Sequence, residues 1–289
     1  MVNWSTAGMA DTITRVLSKN AEKELGQPII IENKPGAGGV IAVNYIVHSK
    51  PDGYTIGMGV TSNFANKPHT SKLSYDILTR TTDILAVCKY NFGLAVKVDA
   101  PWNTFEDIIA YAKKNPGKFT YAMSGIGGSP HITMERIAMK EELKWTGIPF
   151  KSGGEAVVAC LGGHANAVIQ GSIDVLPHIK AGSLKMLLSL DGDKWPEVPS
   201  APTILEKGYN FTAMSYISYF GPKGIPEPIR QKLEDTFKKA MEDPSFNELM
   251  TKYSVKKTFM RGKDYASLWK PYYHEMGKVI RALDLKDEN

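Results

Sequence analysis

The chemical potential of this sequence lies in its glycine-rich turns. Lys34-Pro35-Gly36-Ala37-Gly38-Gly39 follows the apolar run Ile29-Ile30-Ile31, and Ser124-Gly125-Ile126-Gly127-Gly128-Ser129 and Ser152-Gly153-Gly154 recur further along. Small residues between a strand and a helix let an anion approach the backbone closely. The unpaired N–H groups and the dipole of the helix start then favour that anion. This is the chemistry of binding, and it needs no catalytic side chain.

Catalytic readings of the same residues are weaker. Ser124 fails the nucleophile-elbow pattern, because Ala122 and Ile126 stand where its glycines belong. A hydrolase or transferase using Ser124 with His131 needs a carboxylate partner for the imidazole, and no motif supplies one. The Ser124–Ser129 turn lacks the lysine and hydroxyl of a P-loop, and Pro130 takes the slot of the third dinucleotide-fingerprint glycine. The six histidines are scattered, with no His/Cys/carboxylate cluster at metal spacing. Neither a metal nor a cofactor is expected, and the sequence reads as no enzyme.

The elements that must carry these turns alternate. A helix is predicted over Ala10–Leu25, where Ile13, Val16, Leu17, Ala21 and Leu25 share a face before Gly26 and Pro28 end it. Ile29–Ile31 reads as a strand buried on both faces. Val40–His48 reads as a helix, and Tyr54–Val60 as a strand that ends at Thr61-Ser62-Asn63. Such alternation implies a parallel sheet with right-handed crossovers. A boundary is placed at Asp99-Ala100-Pro101-Trp102, followed by the capping box Thr104-Phe105-Glu106-Asp107. Phe119–Met123 is the next strand, and Ser129 is expected to cap a helix with Pro130 as its first residue. A helix over Glu155–Leu161, a strand over Lys185–Ser189 and a proline-stiffened loop over Asp193–Pro199 follow. The chain crosses back near Tyr216–Phe220, and the last third reads as helical.

Composition sets the outer bounds. A chain of 289 residues favours two lobes over one small core, and 43% hydrophobic with 22% charged residues is ordinary for a globular protein. No apolar stretch approaches the roughly 18 residues that a membrane span needs. The net charge of +5 is spread along the chain, and the five tryptophans do not alternate with basic clusters, which argues against nucleic acid. Cys88 and Cys160 both lie in apolar runs and read as small core residues, with a disulfide between them left open. No basic segment followed by an apolar one opens the chain. A signal peptide and part of a first strand are expected upstream of Met1.

Several stretches together resemble the extracytoplasmic solute receptors of the tripartite tricarboxylate transporters, the Bug family of periplasmic binding proteins. They are Leu25-Gly26-Gln27-Pro28 through Gly39, Pro51-Asp52-Gly53-Tyr54-Thr55, Tyr121-Ala122 with Ser124-Gly125, and Pro149-Phe150-Lys151-Ser152-Gly153-Gly154. Gly162-Gly163-His164, Leu176-Pro177-His178, and Phe220-Gly221-Pro222 with Gly224-Ile225-Pro226 complete the set, in order and over most of the chain.

The resemblance implies a type II periplasmic-binding fold, two α/β lobes with a ligand cleft between them. Lobe one is expected over residues 1–100 with 220–289, and lobe two over 101–219. It implies a monomeric periplasmic receptor that hands a small organic carboxylate to a membrane permease. It also implies that two loops grip one carboxylate, here Trp4-Ser5-Thr6-Ala7-Gly8-Met9-Ala10-Asp11 and Ser124–Ser129. Roughly four or five charge-assisted hydrogen bonds of about 1.5–3 kcal/mol each would suffice for micromolar binding after association costs.

The expected pocket therefore includes Trp4, Thr6, Ala7, Gly8, Met9 and Asp11 from the first loop, and Ser124, Gly125, Ile126, Gly127 and Ser129 from the second. Thr61, Ser62, Asn63, Ser152, Gln170 and Tyr216 are placed around the rest. His131 either touches ligand or caps and packs. Asp11 either orients its loop or is an ordinary first-turn acid, and Thr61, Ser62 and Asn63 either meet ligand or cap the next helix. Ala7 and Met9-Ala10 make the first loop less polar than the family's, which widens the expected ligand from a dicarboxylate to an aromatic acid. A ligand-sensing lobe for a signalling partner is the alternative, with the serine hydrolase behind it.

Overall fold

A computed structural model of the protein describes residues 1–3 and 8–285. The chain divides into two compact α/β units, Met1–Lys89 with Ser215–Asn289 and Tyr90–Met214.

The first unit opens with α1 (Met9–Leu25), which buries Ile13, Leu17 and Ala21 completely and stops at Gly26, left-handed at φ +66°. A one-turn 3-10 segment (Ala37–Gly39) leads into α2 (Val40–Val47). Then come β1 (Gly57–Val60), the short helices α3 (Thr61–Ala65), α4 (Lys67–Thr70) and α5 (Ile77–Arg80), and β2 (Thr81–Lys89).

In the second unit β3 (Phe92–Lys97) precedes α6 (Phe105–Lys114), which is entered through the Thr104–Asp107 capping box. Three strand–helix pairs follow: β4 (Thr120–Ser124) with α7 (Ser129–Glu141), β5 (Thr146–Phe150) with α8 (Gly153–Leu161), and β6 (Ala167–Gly171) with α9 (Ser172–Lys180). The unit's last strand is β7 (Leu184–Ser189). The chain returns to the first unit with β8 (Tyr216–Pro222), α10 (Glu227–Ala240), α11 (Pro244–Tyr253), β9 (Lys256–Arg261) and α12 (Gly262–Ala282).

The first unit's sheet has the order β1-β8-β2-β9, with every ladder antiparallel. Ile29–Ile31 forms no strand there. Ile30 is 82% exposed, and the segment meets the sheet only through a parallel bridge from Asn33 to Val2. α12 covers the sheet with Tyr265 and Trp269, which meet Phe64 and Phe220 in one buried cluster. Its start lies so close to β2 that a Cβ on Gly262 would sit 2.1 Å from the Asp83 carbonyl oxygen. Beneath it the buried Glu234 carboxylate accepts from Arg230, from Arg261 and from the Gly262 N–H, tying α10, β9 and α12 together.

The second unit's sheet has the order β5-β4-β6-β3-β7, parallel across β5, β4 and β6 and antiparallel at β3. Side chains alternate between its two faces, as the pleat requires. Leu94, Val96, Tyr121, Met123, Ala167 and Ile169 join one core with Trp102, Phe119 and Trp145. Ala95, Ala122 and Val168 join the other, with Val157, Cys160 and Trp195. Because β3 is paired on both sides within this sheet, the second unit begins ahead of the turn at Asp99–Trp102 where the sequence places its boundary. Cys88 and Cys160 are buried free thiols.

Candidate functional site

In the second unit three helices start directly after neighbouring parallel strands. The amino ends of α7, α8 and α9 therefore gather at one end of the sheet, at the carboxyl ends of β4, β5 and β6. β4 connects to β5 on one side, and β5 then connects across it to β6 on the other. Such a reversal of strand order is where open α/β sheets leave a ligand crevice.

The Ser124–Gly128 turn fills this end. Gly125 and Gly127 are left-handed, at φ +77° and +76°. Gly128 is the N-cap of α7 and no side chain caps the helix. Ser129 is the first helical residue and Pro130 the second, one position later than the sequence suggests. The Ser129 hydroxyl, which could have capped, instead donates to the Met214 carbonyl at 2.9 Å. The first turn of α7 thus faces outward with its backbone donors and no carboxylate or hydroxyl seated on them.

His131 holds the turn from behind. Its Nδ1 accepts from the Gly127 N–H at 3.1 Å, so the imidazole is neutral with the proton on Nε2. Burial lowers its pKa to about 4. The ring lies 6.5 Å from Tyr121, whose hydroxyl donates to Glu135, and Tyr121 in turn meets Trp145 edge-on at 5.9 Å. His131 is a positioning group, and Ser124 does not bond to it. The Ser124 hydroxyl donates to Gln170 Oε1 at 3.2 Å, so the dyad that a serine hydrolase requires is not assembled.

Gln170 is 3% exposed, and its Nε2 has no hydrogen-bond partner among the described residues. A buried donor left empty costs about 1–3 kcal/mol, so this amide awaits an acceptor. Ser152 is the N-cap of α8, accepting from the Glu155 N–H at 3.2 Å, and is occupied by that role. Ile126 is half-buried against the core.

Sites read from the first unit are mostly structural. Asp11 is buried and accepts from Arg15 Nε and Asn33 Nδ2, each at 2.8 Å, which pins α1 to the segment before the glycine turn. Thr61, Ser62 and Asn63 open α3. Thr61 is fully buried between Tyr265 and the Tyr216 N–H, and Ser62 is half-buried. Tyr216 is half-buried with its ring edge-on to Tyr265. Asn63 is consumed by three partners: its Oδ1 accepts from Asn3 at 2.7 Å and from the Val60 N–H at 2.9 Å, and its Nδ2 donates to the Gly38 carbonyl at 2.6 Å. The Lys34–Gly39 turn is therefore a buttress. Gly39 is left-handed at φ +96°, and a Cβ there would stand 2.7 Å from both Asn3 and Asn63. Gly8 caps α1 with backbone only and Met9 is buried. Trp4, Thr6 and Ala7 lie outside the described residues.

Two residues at the second unit's sheet end escaped the sequence reading. Asn91 is buried beside the start of α9, its carbonyl accepting from the Ser172 N–H, and its Oδ1 has no partner among the described residues. The Asp174 carboxylate lies against the Gly153 backbone, where a Cβ would come within 2.3 Å of it, and burial raises its pKa to about 6. Only its place in a first helical turn could have marked it. Among the described residues no group of three or more His, Cys, Asp or Glu could hold a metal, and no helix is long and apolar enough to cross a membrane.

Two α/β units joined by a double crossing, with uncapped helix starts and no assembled catalytic group among the described residues, define a binding protein of the periplasmic receptor type. A model of the tripartite tricarboxylate transporter family receptor matches residues 13–285, and the chain belongs to that family. It is similar to the "UPF0065 protein in gbd 5'region" of Cupriavidus necator, with 38% identity over 285 residues that span 99% of this chain and 86% of that one. The fold is shared with MatC from Rhodopseudomonas palustris with bound malate, at 24% identity and a TM-score of 0.82 over 96% of this chain and 97% of that one. It is shared too with an R. palustris protein with adipate, at 22% identity and a TM-score of 0.86 over 99% and 96%.

Proposed function

We propose that this chain is a non-catalytic periplasmic receptor that captures a small organic carboxylate, a dicarboxylate or an aromatic acid, and delivers it to a membrane permease of the tripartite tricarboxylate type. The observation that carries this reading is the buried, unpartnered Gln170 amide beside the uncapped amino end of α7. A carboxylate would take the Gln170 donor and the turn's N–H groups together, with the Ser124 hydroxyl alongside. Family membership supports the transport role, and the malate and adipate held by proteins of the same fold support the ligand class.

Titration calorimetry with malate, adipate, benzoate and further mono- and dicarboxylates is the test. At least one acid is expected to bind at micromolar strength, with Gln170→Ala weakening it about tenfold, the equivalent of one lost hydrogen bond. No heat from any acid in the panel would refute the ligand class. Unchanged affinity in Gln170→Ala would move the site away from α7.

A further inference from the structure

Two stretches of extended backbone in the first unit face each other across an apolar groove and are bridged at one end only. Val2 forms parallel bridges to Asn33 on one side and Met58 on the other. Its N–H donates to the Glu32 carbonyl and its carbonyl accepts from the Lys34 N–H, both at 2.8 Å. Met1 serves the opposite wall, donating its ammonium to the Ile56 carbonyl and accepting from the Met58 N–H, both at 2.9 Å. Successive residues thus address alternate walls, as in a central parallel strand. A strand bridging both walls sets them about 9.5 Å apart, two strand spacings.

On the amino side of Met1 the walls continue and the strand does not. The Ile30 carbonyl and Glu32 N–H point into the gap from one wall, and the Tyr54 carbonyl and Ile56 N–H from the other. No hydrogen bond among the described residues engages any of the four. Between them lies a groove of about 500 Å³, lined by Leu25, Tyr45, Ile229, Leu233 and Phe237 from α1, α2 and α10. Ile30 and Tyr54, on its two rims, are 82% and 81% exposed. The Met1 ammonium is buried at the groove's end, and that burial lowers its pKa. A neutral peptide N–H would make the same bond without the desolvation cost.

We propose that this groove is a strand slot, which takes an extended peptide segment of β-branched apolar residues that runs parallel to both walls and leads directly into Met1. The residue joined to Met1 donates to the Ile30 carbonyl and accepts from the Glu32 N–H. The residue before that donates to the Tyr54 carbonyl and accepts from the Ile56 N–H. With helices lining the groove, both faces of the inserted strand are covered, so its residues are apolar without alternation.

The full chain carrying Ile-Thr-Val-Ile ahead of Met1 is compared with the same chain carrying Gly-Ser-Gly-Ser there. The apolar extension is expected to raise the unfolding midpoint by about 5 °C over the control. It is also expected to slow amide exchange at Glu32 and Ile56 at least tenfold relative to the control. Equal midpoints and equal exchange in the two forms would overturn the proposal. So would protection of the same amides through concentration-dependent dimerisation of the chain without either extension, which would give the slot to a second copy. Neither result depends on carboxylate binding.

Discussion

His131 secures the second unit's turn by accepting a hydrogen bond, and an imidazolium cannot accept. Its folded pKa of about 4 lies below the ordinary value of 6.5, so the unfolded chain binds the proton more readily. The resulting stabilisation is of order 3 kcal/mol; it is fully present above about pH 6.5 and is lost as pH falls through about 4. Unfolding in urea of the wild type and of His131→Gln tests this. The wild type's advantage at about pH 7.5 should shrink by about 2 kcal/mol at about pH 4.5. A difference that stays constant with pH would assign His131 a packing role alone. Asp11 teaches the complementary lesson. From sequence it reads equally as a loop acceptor or a dipole-favoured acid, and its partners Arg15 and Asn33 become visible only once α1 and the segment after it are brought together.

Among the elements, the gathered starts of α8 and α9 set two electrostatic effects against each other at Asp174. A helix amino end favours a carboxylate by about 0.3–1 kcal/mol. Burial raises the Asp174 pKa from 3.8 to about 6, a cost of order 3 kcal/mol for the ionised form, so burial wins. The folded state then keeps the proton between about pH 4 and 6 where the unfolded state has lost it. Asp174→Asn should therefore stabilise the protein by about 2 kcal/mol above pH 6 and leave it unchanged below about pH 4, read from the urea midpoint. Stability lowered at high pH would show that the charge has a partner it serves.

Helix ends were legible in sequence because capping chemistry is local. The Thr104–Asp107 box and the Gly26 stop stand where the residues place them, and Ser152 caps α8. Strands were less so. β3 follows β2 after only Tyr90 and Asn91, so two strands in different sheets read as one apolar run. β9 is an edge strand, Lys256–Arg261, whose charges hide its period. Ile29–Ile31 has the composition of a buried strand without a full partner to bury it. The glycine turns were found but not ranked: the Lys34–Gly39 turn, the plainest in sequence, braces Asn63, while the better ligand donor, Gln170, sits in a strand with no local signature.

At the scale of the whole molecule, each unit contains one buried cysteine. Cys88 lies in β2 of the first and Cys160 in α8 of the second, and burial raises their pKa values to about 12 and about 11. Neither thiolate forms at neutral pH, so an aromatic disulfide reagent should leave the native chain unlabelled and modify both cysteines in urea. With Cys88→Ser the remaining thiol reports the second unit alone, and with Cys160→Ser the first. Equal labelling rates across a urea series would show that the units open together, and unequal rates that one yields first. Fast labelling in native buffer would contradict the burial itself.

The aromatic chain behind the second unit's turn has an optical consequence. His131 touches the turn, Tyr121 stands next to His131, and Trp145 stands edge-on to Tyr121. An indole two rings from the mouth of the site senses any shift in the imidazole it ultimately leans on. Its emission should therefore register cargo arriving and departing in real time, giving the protein a built-in light gauge that needs no dye.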